Sequence, residues 1–252
     1  LKTQTEHTIA PYSKLAAFYD GMMEHVDYEH WADYIDQILR KIGKKIKNVC
    51  ELACGTGTLA VALSKRGYQM TCSDVSNDMV RQAIKKAGHA NLSIDFSVCN
   101  MLEFTSKEPF DAVLCLYDSI NYLDSEDEVI RFFSNTSLLL KDGGIFIFDA
   151  CTEKNSLEHF DQRYEFDRAH RYRRRSYYIR KQKVQVNEIT LEVDGKFYTE
   201  RHNQKIFTIK ELTQMIRDSD FTLEHLFADL TFNKGSENSE RVHFVLRNKS
   251  TH

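Results

Sequence analysis

Residues 48–67 form one continuous signal: an apolar run at 48–53, the turn Cys54-Gly55-Thr56-Gly57, then Leu59, Ala62 and Leu63 at helical spacing up to Gly67. Glycines let such a turn take positive φ and let backbone N–H groups approach a ligand, while the helix N-terminus adds positive potential. A buried strand feeding directly into a helix finds its partners in other parallel strands, with helices covering both faces of the sheet. This unit therefore restricts the chain to an α/β architecture more than any other feature does.

The alternation continues downstream. An apolar run at 69–73 ends at Asp74, and Ser76 can cap a helix carrying Met79, Ala83 and Ala87. Leu92, Ile94, Phe96 and Val98 alternate as a third strand, and 112–116 is a continuous apolar run suited to a strand buried on both faces. Ser125 and Glu128 give a capping-box pattern before Val129, Phe132, Phe133, Thr136 and Leu140; Gly143-Gly144 is expected to end that helix ahead of a fifth strand at 145–148. Upstream, Trp31, Ile35, Ile38, Leu39 and Ile42 mark a helix over 27–43, and a shorter one is expected at 13–23.

After Ala150 the rhythm breaks. Runs at 171–181, 183–193 and 196–207 read as strands, the last two joined by the hairpin dipeptide Asp194-Gly195. Thr208 and Glu211 then cap a helix, and 221–228 and 241–246 read as two final strands. The expected fold is α/β: a doubly wound, seven-stranded, mostly parallel sheet formed by 1–150 and 208–252, with an antiparallel β segment inserted at 151–207.

Lys plus Arg is 34 and Asp plus Glu 37, a net charge of −3 that argues against a dedicated nucleic-acid binder. No apolar run approaches the roughly 18 residues of a spanning helix, so no membrane partner is expected. Residues 1–10 lack the apolar core of a secretory signal, which makes the cytoplasm the expected compartment. The six cysteines, Cys50, Cys54, Cys72, Cys99, Cys115 and Cys151, form no CxxC pair and have no neighbouring histidine, so they read as buried reduced thiols and no metal is expected.

In an open parallel sheet the ligand lies beyond the carboxyl ends of the strands. Asp74, seventeen residues past Gly57, stands where a carboxylate accepts from both ribose hydroxyls. Gly55-x-Gly57-x-x-Ala60 also matches a dinucleotide fingerprint, which keeps a nicotinamide-dependent oxidoreductase as an alternative.

The wider string from Glu51 through Ala53, Cys54, Gly55, Thr56 and Gly57 resembles motif I of class I S-adenosylmethionine-dependent methyltransferases. Thr71 to Asp74 with Val75, Ser76 and Met79 resembles that family's ribose-binding stretch, and Leu139 to Gly144 its approach to the fifth strand. Tyr12, Tyr19 and Asp20 with Val26 and Trp31, and Asp118-Ser119-Ile120-Asn121-Tyr122-Leu123, are similar to a bacterial small-molecule subgroup that includes sugar-amine N-methyltransferases. The resemblance implies a Rossmann-like methyltransferase fold with S-adenosyl-L-methionine as cofactor. It implies that Glu51, Ala53, Gly55 and Gly57 border the methionine part, that Cys54 and Thr56 of the same loop are cofactor-binding, that Asp74 holds the ribose, and that Val75 and Met79 flank the adenine. Asn100 stands where many members carry an adenine-contacting Asp, and its amide oxygen can accept from the adenine amino group; Met101 adjoins it. Leu116 and Tyr117 would lie beside the sulfonium, with Tyr12, Tyr19 and Trp31 folding over the cofactor.

The expected reaction is methyl transfer to N or O of a small molecule, anionic or amine-bearing, with an RNA methyltransferase as the alternative. Tyr117, Asp118 and Asn121 are the polar candidates for catalysis. In the basic strand, Tyr172, Arg174 and Tyr178 share one face and could bind an anionic substrate group, with His202 on the following strand. Because the cysteine spacing lacks a zinc pattern, elemental analysis of protein purified without added metal should find no stoichiometric zinc; a one-to-one content lost in Cys54→Ala would contradict this.

Overall fold

The computed structural model describes residues 6–42, 45–167 and 171–249. Residues 1–5, 43–44, 168–170 and 250–252, over which the expected domains, one helix and the insertion extend, lie outside the described residues. The elements begin with β1 (Glu6–Ile9), α1 (Tyr19–Met22), α2 (Tyr28–Ile42), β2 (Asn48–Leu52), α3 (Thr58–Lys65), β3 (Gln69–Asp74), α4 (Asn77–His89), β4 (Asp95–Val98), β5 (Phe110–Cys115) and α5 (Glu126–Leu138). They continue with β6 (Leu140–Cys151), α6 (Glu153–Asn155), β7 (Arg163–Asp167), β8 (Tyr172–Ile179), β9 (Val184–Val193), β10 (Lys196–Lys205), α7 (Ile209–Arg217), β11 (Phe221–Ala228) and β12 (Arg241–Asn248).

Seven strands form one sheet in the order β11-β12-β6-β5-β2-β3-β4. β4, β3, β2, β5 and β6 run parallel, and β12 and β11 complete the sheet antiparallel. Helices cover both faces. On one, Phe132 and Phe133 of α5 pack with Phe146, Phe148, Phe221 and Phe244; on the other, Ile35, Ile38 and Leu39 of α2 meet Leu63 and Ile147. The second sheet has the order β1-β10-β9-β8-β7. Asp194 and Gly195 both take positive φ at its β9–β10 turn, where Val193 pairs directly with Lys196.

Several elements depart from the sequence expectation for identifiable reasons. The third strand starts at Asp95 rather than Leu92, because the Leu92 N–H closes the end of α4 on Ala87 O at 3.0 Å. Gly143 and Gly144 do not end α5. They lie within β6 as an irregularity, since Phe110 pairs with Leu140 but Ala112 pairs with Ile145. The 13–23 segment holds a 3-10 turn at Leu15–Ala17 and the four-residue α1 instead of one helix. β1, upstream of the expected insertion, joins the second sheet by pairing parallel to β10, and β7 adds an edge strand the sequence reading left out.

No helix among the described residues is long and apolar enough to cross a membrane. Phe133 is fully buried within the aromatic cluster, so Phe133→Ala should lower unfolding free energy by about 3–5 kcal/mol, read as a lower urea midpoint at unchanged m.

Candidate active site

The carboxyl ends of β2, β3 and β5 open into a cavity of about 590 Å³, a size usual for ligand sites. Its first wall is the loop after β2, where Ala53, Gly55 and Gly57 all have positive φ (55°, 55° and 70°). The Gly55 N–H donates to Asp74 Oδ2 at 2.9 Å, and Asp74 Oδ1 accepts from Ser76 N–H at 2.8 Å. One carboxylate at the end of β3 thus ties the first two loops together. A Cβ on Gly55 would meet no atom within 4 Å, whereas one on Gly57 would meet Ala83 Cβ at 2.9 Å and the Phe96 ring at 3.2 Å. Gly57 is therefore a correction: it faces α4 and β4 and does not line the cavity. The other residues expected at the cofactor do line it, from Tyr12, Tyr19, Trp31 and Glu51 through Cys54, Thr56, Val75 and Met79 to Asn100, Met101 and Leu116.

The second wall is the loop after β5. Tyr117 (φ 61°) and Asp118 (φ 53°) occupy consecutive left-handed conformations, a strain of order 1–3 kcal/mol for each non-glycine residue. Their N–H groups donate to Asp149 Oδ1 and Oδ2 at 2.6 and 2.9 Å. Arg241 bridges Asp149 and Asp118, and Gln204 donates to Asp118. Two of the three polar candidates are thereby displaced from the cavity. Asp118 is occupied by Arg241 and Gln204, and Asn121 is fully buried, donating to Lys205 O at 2.7 Å and accepting from Cys151 N–H at 3.1 Å. Both fasten the loop, and only Tyr117 lines the cavity. Its ring lies 5.3 Å from that of Trp31 and 6.0 Å from that of Tyr28.

The third wall comes from the N-terminal segment, held against the second sheet. Fully buried Glu200 accepts the N–H groups of Tyr12, Lys14 and Leu15 at 2.6, 2.7 and 2.9 Å. The Tyr12 and Tyr122 hydroxyls are 2.5 Å apart, and Tyr122 Oη is 3.1 Å from His202 Nδ1. His202 Nε2 has no aligned hydrogen-bond partner but lies 3.4 Å from Glu200 Oε2. At the far end of the segment, Asp20 pairs with Lys86 at 2.8 Å and accepts from Thr56 Oγ1 at 2.6 Å.

None of the four substrate candidates lines the cavity, and His202 reaches it only through its contacts with Tyr12 and Tyr122. Tyr172 and Tyr178 are buried, their hydroxyls donating to Glu165 and Glu153, and Arg174 pairs with Glu165 at 2.5 Å. The shared face is present, but its one guanidinium is already matched by a carboxylate. Sequence reasoning gave no role to Tyr28 and Tyr122, which stand only within the family-like strings, and missed Asp149, Glu200 and Arg241. Of the last three, Glu200 alone had a local signal, since it shares a strand face with His202 two residues on.

Burial dominates the electrostatics. It pushes the Glu51 carboxyl up to about 8, with nearby Asp74 adding to the shift, and Glu51 Oε2 has no hydrogen-bond partner. Asp74 is also raised by burial, opposed by its two amide bonds. Tyr12, Tyr19, Tyr28, Tyr117 and Tyr122 are all pushed up, chiefly by burial, and stay protonated. Among the described residues lining the cavity there is no lysine or arginine.

A methyltransferase-domain model matches residues 49–144. A Geobacillus sp. (strain WCH70) protein named "Putative methyltransferase" is 33% identical over 94% of this chain and 99% of its own length. "Putative methyltransferase YqeM" of Bacillus subtilis (strain 168) is 30% identical over 95% of this chain and 98% of its own. The chain belongs to the class I S-adenosylmethionine-dependent methyltransferases. The fold is shared with an S-adenosylmethionine-dependent methyltransferase from Clostridium acetobutylicum ATCC 824, at TM-score 0.82, 20% identity and coverage of 94% of this chain and 98% of that one. It is shared also with the sugar N-methyltransferase KedS8 from Streptoalloteichus sp ATCC 53650, at TM-score 0.75, 19% identity and coverage of 93% and 92%.

As a methyltransferase, the protein uses S-adenosylmethionine, and the cavity suits it. Glu51 offers an unpartnered buried oxygen, and Gly55 leaves the space of a side chain open beside it. Glu51, protonated near neutral pH in the free protein, should ionise when the cationic donor binds. Calorimetry in buffers of different ionisation enthalpy should show about one proton released per donor in the wild type and none in Glu51→Gln; identical proton release in both would refute this.

Proposed function

We propose that this methyltransferase transfers a methyl group to an amine nitrogen or a hydroxyl of a small molecule, with the second sheet serving as the substrate subdomain. The observation that carries the reading is the union of Tyr12, Tyr122 and His202 from three separate segments at one side of the cavity. S-adenosylmethionine, when bound, would supply an electrophilic methyl group on a sulfonium for in-line displacement. Glu51 and Gly55 would border the donor's amino-acid end, Asp74 would accept from the ribose, Val75, Met79 and Asn100 would flank the adenine, and Leu116 and Tyr117 would lie beside the sulfonium.

An acceptor N–H or O–H must lose a proton, and the Tyr122 hydroxyl offers a way out. Burial keeps the Tyr122 phenol protonated, so it acts by passing its own proton to His202 Nδ1 as it takes one from the acceptor; Glu200 then stands beside the imidazolium. The lining carboxylates and aromatic rings, without a lysine or arginine, favour a neutral or amine-bearing acceptor over a phosphate or carboxylate. That replaces the anion site expected around Arg174. RNA is disfavoured on the outer face too, because Arg175 and Arg201 both pair with Glu188 at 3.8 and 3.2 Å.

Incubation with methyl-labelled S-adenosylmethionine and either the small metabolites or the total RNA of a bacterial extract tests the reading. Label is expected in the metabolite fraction, reduced about 100-fold or more by Tyr122→Phe, with donor affinity little changed. Label in RNA, together with RNA retention that weakens steeply between about 50 and 200 mM salt, would overturn the small-molecule assignment.

A further inference from the structure

The left-handed pair Tyr117–Asp118 depends on a carboxylate that does not itself line the cavity. Asp149 follows Phe148, the last residue of β6 paired with β5, so it stands where β5 has left the sheet and β6 continues. It is fully buried and accepts both strained residues' N–H groups, at 2.6 and 2.9 Å. Arg241, paired on the sheet's next strand with both Asp149 and Asp118, lies 5.0 Å from the Tyr117 ring centroid and 5.4 Å from that of Trp31. The ring that faces the cavity is thus set from behind by an Asp149–Arg241–Asp118 cluster in which the guanidinium charge is matched.

We propose that Asp149 is a positioning residue for the methyl donor: by pinning the Tyr117–Asp118 turn, it sets the aromatic face that distinguishes cationic S-adenosylmethionine from uncharged S-adenosylhomocysteine. The inference rests on the reading above that places Tyr117 beside the sulfonium. A ring attracts a cation lying over its face within about 6 Å and has no matching attraction for a thioether, so ring placement acts on the donor and not on the product. An Asn at 149 has one acceptor oxygen for two amides, and its NH2 group faces donors. The turn then loses one anchor and the ring its fixed orientation.

Calorimetric affinities for both ligands, measured on the wild type, on Asp149→Asn and on Phe133→Leu, test this. Phe133 lies in the core outside the cavity wall, so its variant controls for general destabilisation. In Asp149→Asn the donor-to-product affinity ratio should fall about tenfold, the scale of a lost cation–ring attraction, while Phe133→Leu keeps the wild-type ratio. An unchanged ratio in Asp149→Asn, even with both affinities reduced, overturns the proposal. A wild type that binds neither ligand would sink the cofactor-site reading and this inference with it, a result distinct from a ratio that fails to move. If Asp149→Asn does not fold, hydrogen exchange on the wild type decides: slow exchange of the Tyr117 and Asp118 amides is expected, and exchange at the rate of an unprotected loop refutes the pinning.

Discussion

Each wall of the cavity is a loop held by a buried carboxylate whose oxygens accept backbone N–H groups. Asp74 holds Gly55 and Ser76, Asp149 holds Tyr117 and Asp118, and Glu200 holds Tyr12, Lys14 and Leu15. Loops at strand ends cannot satisfy these donors from the sheet, and a hydrogen bond to a charged acceptor contributes about 1.5–3 kcal/mol. Burying a carboxylate is costly by itself, and shared amide bonds offset that cost. For Glu200, burial would raise the carboxyl pKa, yet His202 and three amides together leave it lowered. The site's shape is consequently an electrostatic property as much as a packing one.

This explains which parts of the site were legible in the sequence. Glu51, Gly55 and Asp74 act within one strand–turn–helix unit or its neighbour, so spacing along the chain reports their placement. Asp149 lies in an apolar run that reads only as strand, and its partner Tyr117 is 32 residues away. Glu200 reaches back across 188 residues to Tyr12. No local periodicity encodes such pairings. The same limit produced the error at Gly57: spacing marked it as a glycine of the turn, but which neighbour it abuts depends on Ala83 and Phe96 of elements still to come. Among the parallel strands of the main sheet, β2, β5 and β6 were readable because burial on both faces leaves continuous apolar runs, and the half-exposed edge strand β4 by its alternation. β1 and β7, short edge strands with polar residues, left no such trace.

β1 also changes how the two sheets relate. Because it runs along the edge of β10, the chain reaches the cavity from the second sheet. Tyr12 and Tyr19 therefore come to the cavity while fastened to the strand that carries Glu200 and His202. At the other end, Asp20 joins Lys86 and Thr56 of the main sheet's helices and loops. The segment between is a strap fixed to both sheets. Tyr12 is thus tied to β10 through Glu200, which couples this wall of the cavity to the second sheet.

The chemistry requires a particular restraint from this arrangement. Positive charge on sulfur vanishes as the methyl group leaves, so an anion fixed against the sulfonium would stabilise the ground state more than the transition state and slow transfer. On the proposed placement of the donor, that region would face Tyr117, Trp31 and Tyr28, whose attraction for a cation is only about 0.5–2 kcal/mol. Its carboxylates are engaged elsewhere. Asp74 is committed to Gly55 and Ser76, and Asp149 and Asp118 to Arg241. Protonated tyrosines keep the rings neutral on the cavity side, and carboxylates hold the guanidinium on the other. On the proposed placement, the donor would be held firmly enough to be placed and weakly enough at sulfur to react.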